Sequence, residues 1–156
     1  MQPLNIGTEK AFQKIKFFCA YQERSHAETR DKLYGFGLYK HEVEEMIALL
    51  IDENYLNEER FAIAFAGGKF RMKSWGKIKI KYELKGKGVS EYIVKRALAS
   101  LDQDEYEKTI LKLCEEKSFS LRSEKNTFTK KKKLYQYLLQ KGFESSLINE
   151  LLKGEK

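Results

Sequence analysis

The chain has 156 residues, 42% of them hydrophobic and 34% charged, which suffices for one compact domain or a short array of repeats and excludes a disordered chain. With 30 Lys and Arg against 23 Asp and Glu, the net charge is +7 at pH 7, so nucleic acid, an acidic protein surface and an anionic membrane are the partners to weigh. The longest purely apolar run, Met46 to Ile51, is too short to span a bilayer, and the opening MQPLNIGTEK lacks a signal peptide's apolar core; a soluble, cytoplasmic protein is expected.

Pro3 is the sole proline, which points to helices joined by short connections. From Thr8 to Tyr21, residues Phe12, Ile15, Phe18, Cys19 and Tyr21 fall near helical spacing and predict a first amphipathic helix. Ser25 opens a capping box with Glu28 for a second helix, which ends near Gly35 and Gly37. In the third, Val43, Met46, Ile47, Leu50 and Ile51 form the stripe expected to be buried. Asn57 caps a fourth, with Phe61, Ala62, Phe65 and Ala66 repeating at three and four until Gly67-Gly68 ends or loosens it. Ser74 is read as the cap of a fifth.

Lys77 to Lys85 alternates charged and apolar residues and by itself reads as a half-buried strand. Ser90 caps a helix burying Ile93, Val94, Ala97, Leu98 and Leu101, and Asp104 begins another that runs through Tyr106, Ile110, Leu113 and Cys114 to Phe119. The stretch between Ser118 and Thr129 reads as an exposed loop, before a last pair of helices that hold Leu134, Tyr137 and Leu138, then Leu147, Ile148, Leu151 and Leu152.

An internal repeat decides between helix and strand. Leu, three residues, Gly and an apolar residue recur at Leu33-Gly37-Leu38, Leu84-Gly88-Val89 and Leu138-Gly142-Phe143, with the glycines 51 and 54 residues apart. Five residues beyond the last position come Val43, Val94 and Ile148. The expected architecture is therefore all-α, three tandem three-helix repeats (1–56, 57–103 and 104–156) forming an elongated, curved short solenoid, with each glycine left-handed after a helix. As a helix, Lys77–Lys85 puts Trp75, Ile78 and Tyr82 on one face and Ile80 and Leu84 on nearly the opposite one, which suits a helix sandwiched between neighbours.

No constellation of an enzyme stands in the sequence. Phosphate-binding glycine loops, HExxH and GxSxG are missing, and the carboxylates sit in solvated runs such as Glu42, Glu44 and Glu45. Cys19 and Cys114 read as small buried hydrophobes, His26 and His41 as surface residues, and no cofactor or metal is implied. What stands out is basic: Lys69, Arg71, Lys73, Lys77, Lys81 and Lys85 over a stretch with Glu83 as its single acid, and a second run at Lys130, Lys131, Lys132 and Lys133. Both runs fall at the start of the same helix position in the second and third repeats, which favours a salt-sensitive, sequence-blind contact with phosphates or an acidic partner. Trp75 is read as core packing ahead of a base-stacking platform.

These residues resemble the RecX family of regulators of the RecA recombinase. The resemblance is carried by Tyr55-Leu56-Asn57-Glu58-Glu59-Arg60-Phe61-Ala62, by Lys69-Phe70-Arg71 and Ser74-Trp75-Gly76, and by Leu84 with Lys87-Gly88-Val89. Arg24-Ser25 to Lys32-Leu33 looks like the family's opening motif, with Thr29 in place of an apolar residue, and Tyr137 to Gly142-Phe143 is similar to its closing repeat. Asn57 and Glu58 stand where many members carry Asp. The resemblance implies a non-enzymatic protein, monomeric, that binds the RecA filament on single-stranded DNA and inhibits strand exchange, ATPase and coprotease activity in recombination, DNA repair and the SOS response. A basic helical module that binds nucleic acid without RecA is the alternative.

Overall fold

The computed structural model describes residues 4–153, and among these the chain forms nine α-helices and no strand. They are α1 (Thr8–Tyr21), α2 (His26–Gly35), α3 (Lys40–Asp52), α4 (Glu58–Lys73), α5 (Lys77–Gly86), α6 (Glu91–Ala99), α7 (Gln103–Ser120), α8 (Thr127–Gln140) and α9 (Ser145–Lys153). The alternating stretch is thus helix, as the repeat requires, and Pro3 lies outside the described residues. Two compact units divide the chain: one holds the residues up to Ala64 together with Leu84–Arg96, the other Phe65–Glu83 together with the residues from Ala97 onward.

The first unit is built on α1, α2 and α3. Ala11, Ile15 and Cys19 of α1 are buried with Leu33 of α2 and with Val43, Met46, Ile47 and Leu50 of α3. The start of α2 is the capping box read from sequence: Ser25 Oγ accepts from Glu28 N at 3.1 Å, and Glu28 Oε1 accepts from Ser25 N at 2.7 Å. Thr29 is fully buried because its hydroxyl donates to Ser25 O at 2.8 Å, which satisfies the polar group in an apolar setting. Beside it, burial pushes the Cys19 thiol up, as expected of a core cysteine. Asn57 caps α4 by accepting from Arg60 N at 2.9 Å. The Arg60 guanidinium ties this turn to Glu23 and to the Asn54 side chain and carbonyl, while Phe61 is buried.

The repeated frame has a physical basis in the helix ends. Gly37, Gly88 and Gly142 have φ of 82°, 81° and 97°. At the second and third, Val89 N donates to Leu84 O and Gly88 N to Lys85 O, then Phe143 N to Leu138 O and Gly142 N to Leu139 O. This is the Schellman arrangement, in which a left-handed residue lets its own amide and the next one turn back onto the last helical carbonyls. Its accompanying apolar contact is the buried pair Leu84 and Val89, or Leu138 and Phe143. The Leu-x-x-x-Gly-apolar spacing is therefore a Schellman stop at Gly88 and Gly142, and at Gly37 it keeps the left-handed glycine with its amide bonded back to Tyr34 O.

In the second unit that stop also starts another helix. The chain at Gly76 lies directly against the Gly142 turn: Gly76 N donates to Lys141 O and Ile78 N to Gly142 O, both at 2.8 Å, and Lys77 N donates to the Tyr106 hydroxyl at 2.8 Å. The Tyr106 hydroxyl in turn donates to the Glu144 carboxylate. Three amides that a helix start leaves without intrahelical partners are thereby satisfied. A Cβ on Gly76 would come within 2.5 Å of Phe143 N, and one on Gly142 within 2.8 Å of Lys79 N. Tyr106 is almost fully buried, with the Phe70 and Phe143 rings tilted against it at centroid distances of 5.8 Å and 5.2 Å. Burial, then the bond to Glu144, push its phenol well above the usual tyrosine range.

Several sequence expectations are corrected. Gly67-Gly68 neither ends nor loosens α4, which runs on to Lys73 because Ala66 and Phe70 continue its buried face. Ser74 does not cap α5: it takes φ 56° with its N–H donating to Phe70 O, so it closes α4, and α5 begins three residues later. Only one face of α5 is covered, with Ile80 and Leu84 at zero exposure while Ile78 and Tyr82 are 52% and 77% exposed. Ile51 and Tyr21 are likewise outside the stripes assigned to them. His26 is half-buried, with Nε2 shielded and without a hydrogen-bond partner, rather than a surface side chain. Asp102, not a residue further on, caps α7 through Glu105 N, and the loop before α8 narrows to residues 121–126.

Two predictions separate the roles of these contacts. Gly88 has open space where a Cβ would stand, so Gly88→Ala costs about 1 kcal/mol for its left-handed backbone, whereas Gly142→Ala adds a backbone collision and costs about 3 kcal/mol or more; urea unfolding midpoints measure both. Tyr106→Phe lowers stability by about 1–3 kcal/mol by leaving Lys77 N and Glu144 without their partner. Because the folded phenol is held protonated while the unfolded one ionises near about pH 10, stability falls as pH rises past that point, and the variant loses that share of the fall.

Candidate partner-binding surface

The second unit carries most of the nominated cations on rigid helical backbone. Lys69, Arg71 and Lys73 lie in the last two turns of α4, and Lys77 and Lys81 follow on α5. Lys130, Lys131, Lys132 and Lys133 open α8. Trp75, in the connection between α4 and α5, is half-buried and meets Phe65 edge-on at 6.3 Å between centroids. The Lys69 and Lys79 ammonium groups stand 5.1 Å and 4.7 Å from the Trp75 ring. The indole is thus packed on one edge and bordered by two cations, a contact worth roughly 0.5–1 kcal/mol at exposed sites.

Neighbouring cations are held by other means. Lys77 stands 4.7 Å from the Tyr106 ring, with Nζ 3.5 Å from Gln103 Oε1. Lys141 Nζ donates to Lys73 O at 2.8 Å, which places a further positive charge at the end of α4. Lys79, Lys141 and the Lys73 backbone therefore converge on the Gly76 and Gly142 crossing. At the other end of α8, the four-lysine run is about 15 Å along the helix axis from Gln140. Lys132 and Lys133 are exposed, Lys130 and Lys131 half-buried, and Lys133 pairs with Glu124 at 3.5 Å.

Among the ten cations nominated from sequence, two form ion pairs among the described residues: Lys133, and Lys85, which belongs to the first unit and lies 3.6 Å from Glu91. The rest of the second unit's set presents ammonium or guanidinium groups that form no ion pair among the described residues. Such groups bind phosphates or carboxylates from outside as point charges, with affinity that salt weakens. Of the residues nominated as structural, Arg60, Phe61, Leu84 and Gly88 lie in the first unit and Trp75, Gly76 and Gly142 in the second.

From the sequence, Lys79 counts as part of the basic stretch and Tyr106 as a helix residue, but neither is nominated for the site, and Lys141 and Glu144 are passed over. Lys141 precedes a repeat glycine and Lys79 sits in the basic stretch, so both had a signal; the Tyr106 bonds span 29 and 38 residues and had none. No group of three or more His, Cys, Asp or Glu among the described residues is placed to hold a metal ion, and no helix there is long and apolar enough to cross a membrane.

Known proteins share this fold. Family descriptions of the second and third three-helix domains of RecX match residues 57–98 and 104–152. Regulatory protein RecX of Clostridium perfringens strain 13 is 34% identical over 131 residues, which cover 83% of this chain and 61% of that protein. The chain thus spans about three fifths of the length of the clostridial relatives it matches. Regulatory protein RecX of Thermotoga maritima is 31% identical over 149 residues, covering 95% of this chain and 86% of that protein. The crystal structure of RecX from Lactobacillus salivarius superposes with a TM-score of 0.84 at 25% identity and covers 94% of both chains. A repeated helix stop, an all-α repeat architecture and relatives of this extent together place the chain in the RecX family.

Proposed function

We propose that this chain is a non-enzymatic regulator of RecA that acts as a monomer, binds the RecA filament on single-stranded DNA and inhibits its ATPase, strand exchange and coprotease activities. On this reading the three-helix copies run 1–56, 57–103 and 104–156. The observation that carries it is the set of cations on α4, α5 and α8 of the second unit that, Lys133 apart, form no ion pair among the described residues. A partner that offers protein carboxylates and DNA phosphates together supplies what those groups lack. Lys73 and Lys81 are the sharpest probes, since both are exposed and neither side chain is engaged with another residue among the described contacts. Lys77 is a poorer probe because it also packs on Tyr106.

The experiment adds the purified chain to RecA assembled on single-stranded DNA and follows ATP hydrolysis. Lys73→Glu/Lys81→Glu retains the wild-type circular dichroism spectrum and raises the concentration needed for half-inhibition by about tenfold or more, with about 1 kcal/mol for each lost contact. Full inhibition by the folded variant removes these lysines from the interface. Omitting RecA tests the basic-module alternative: tight binding of a thymidine oligonucleotide, with a log–log salt slope that drops by about 0.7 for each lysine removed, would favour it. Quenching of Trp75 fluorescence on binding gives a local readout in both arms.

A further inference from the structure

We propose that the groove between α1 and α2 docks an acidic amphipathic peptide segment of a protein partner. It lies in the first unit and uses none of the cations assigned above, so it stands independently of the proposed function. The groove encloses about 640 Å³. Its walls are aromatic, from Phe17, Phe18, Tyr21 and Phe36, and its rim is cationic, from Lys14, Arg24 and Lys32. No carboxylate lines it.

The buried stripe of α1, Ala11, Ile15 and Cys19, faces the first unit's core. Lys14, Phe17, Phe18 and Tyr21 follow the i, i+3, i+4, i+7 spacing of a single helix face, a second stripe beside the first. Phe17 and Tyr21 are 75% and 76% exposed, an apolar pair one turn apart that the chain itself leaves to solvent. That is the anchor geometry of helix-in-groove recognition.

Charge then selects the occupant. Arg24 is fixed by donating to Phe18 O at 3.0 Å, and its guanidinium carbon lies 3.8 Å from the Phe18 centroid. Lys32 stands 5.5 Å from the same ring and 5.8 Å from Phe36, and Lys14 stands 5.9 Å from Phe36. None of the three pairs with a carboxylate among the described residues. Nucleobases stacked on Phe18 or Phe36 would have to displace these cations from the ring faces. Carboxylates reach the same cations from outside without disturbing them, while apolar side chains settle on Phe17 and Tyr21. The complement is therefore a segment with one or two large apolar residues flanked by Asp or Glu.

The test is selection of a random dodecapeptide phage library on the full chain, with Phe17→Ala/Tyr21→Ala as the counter-selection target; both side chains are exposed, so the core stays intact. Peptides with acidic residues beside Leu, Phe or Trp are expected to enrich on the wild-type chain. A synthetic copy of the best should lose at least about tenfold in affinity, by fluorescence anisotropy, to Phe17→Ala/Tyr21→Ala and separately to Lys14→Glu/Lys32→Glu. The proposal is overturned if no peptide distinguishes wild type from the aromatic variant, or if the enriched peptides lack acids. It is equally overturned if a thymidine oligonucleotide displaces the peptide, or if ultracentrifugation shows self-association that the aromatic variant abolishes, since a nucleic acid or a second copy would then be the occupant.

Discussion

The start of α5 is held by two main-chain carbonyls and a tyrosine hydroxyl distant in sequence, and the second unit's geometry depends on that. Amides of Gly76, Lys77 and Ile78 are accepted by Lys141 O, the Tyr106 hydroxyl and Gly142 O. The two bonds to carbonyls form only where two main chains touch, so the crossing needs a residue without Cβ on each side. A helix start with free amides would itself attract an anion. Here those amides are consumed, so recognition of phosphate or carboxylate falls to the lysine side chains that the crossing orients.

The same device recurs in the first unit with a different occupant. Ile6 N donates to Phe36 O at 3.1 Å, and a Cβ on Gly37 would fall 2.6 Å from Leu4 O. Phe36 and Lys141 hold the same place in the repeated frame, each a carbonyl exposed by a left-handed glycine after it. Gly88 holds that frame with nothing within 4 Å of its Cβ direction. One local motif thus serves as helix stop in three places and as a platform for a crossing segment in two. The stop follows from local sequence, whereas the crossing depends on which segment the chain brings back.

That distinction explains what could be read in the sequence. Capping by Ser25 and Asn57, the buried stripes and the glycine frame are contacts within about five residues, and each is visible as spacing. Gly67-Gly68 misleads because the breaker signal is weak, about 1 kcal/mol per glycine relative to alanine, against the burial of Ala66 and Phe70 on either side. Ser74 misleads because a residue that favours caps also tolerates the left-handed turn that ends α4. Ile78 and Tyr82 were correctly periodic and still exposed, because period reports which residues share a face and not whether anything covers it.

The basic character of the second unit is likewise sharpened by looking at where the acids go. In the first unit, Glu23, Glu44 and Glu59 are matched with Arg60, Arg30 and Arg96. The Arg30 hydrogen bond holds the Glu44 carboxyl below the usual range. Glu28 closes the capping box at Ser25. In the second, Glu144 is taken by Tyr106 and Asp102 by the start of α7. A carboxylate bound to a cap or an arginine offers little to a lysine elsewhere. The modest surplus of positive charge in the composition therefore understates the imbalance at α4 and α5, where Arg71, Lys73 and Lys81 face solvent while Glu144 and Asp102 have structural work.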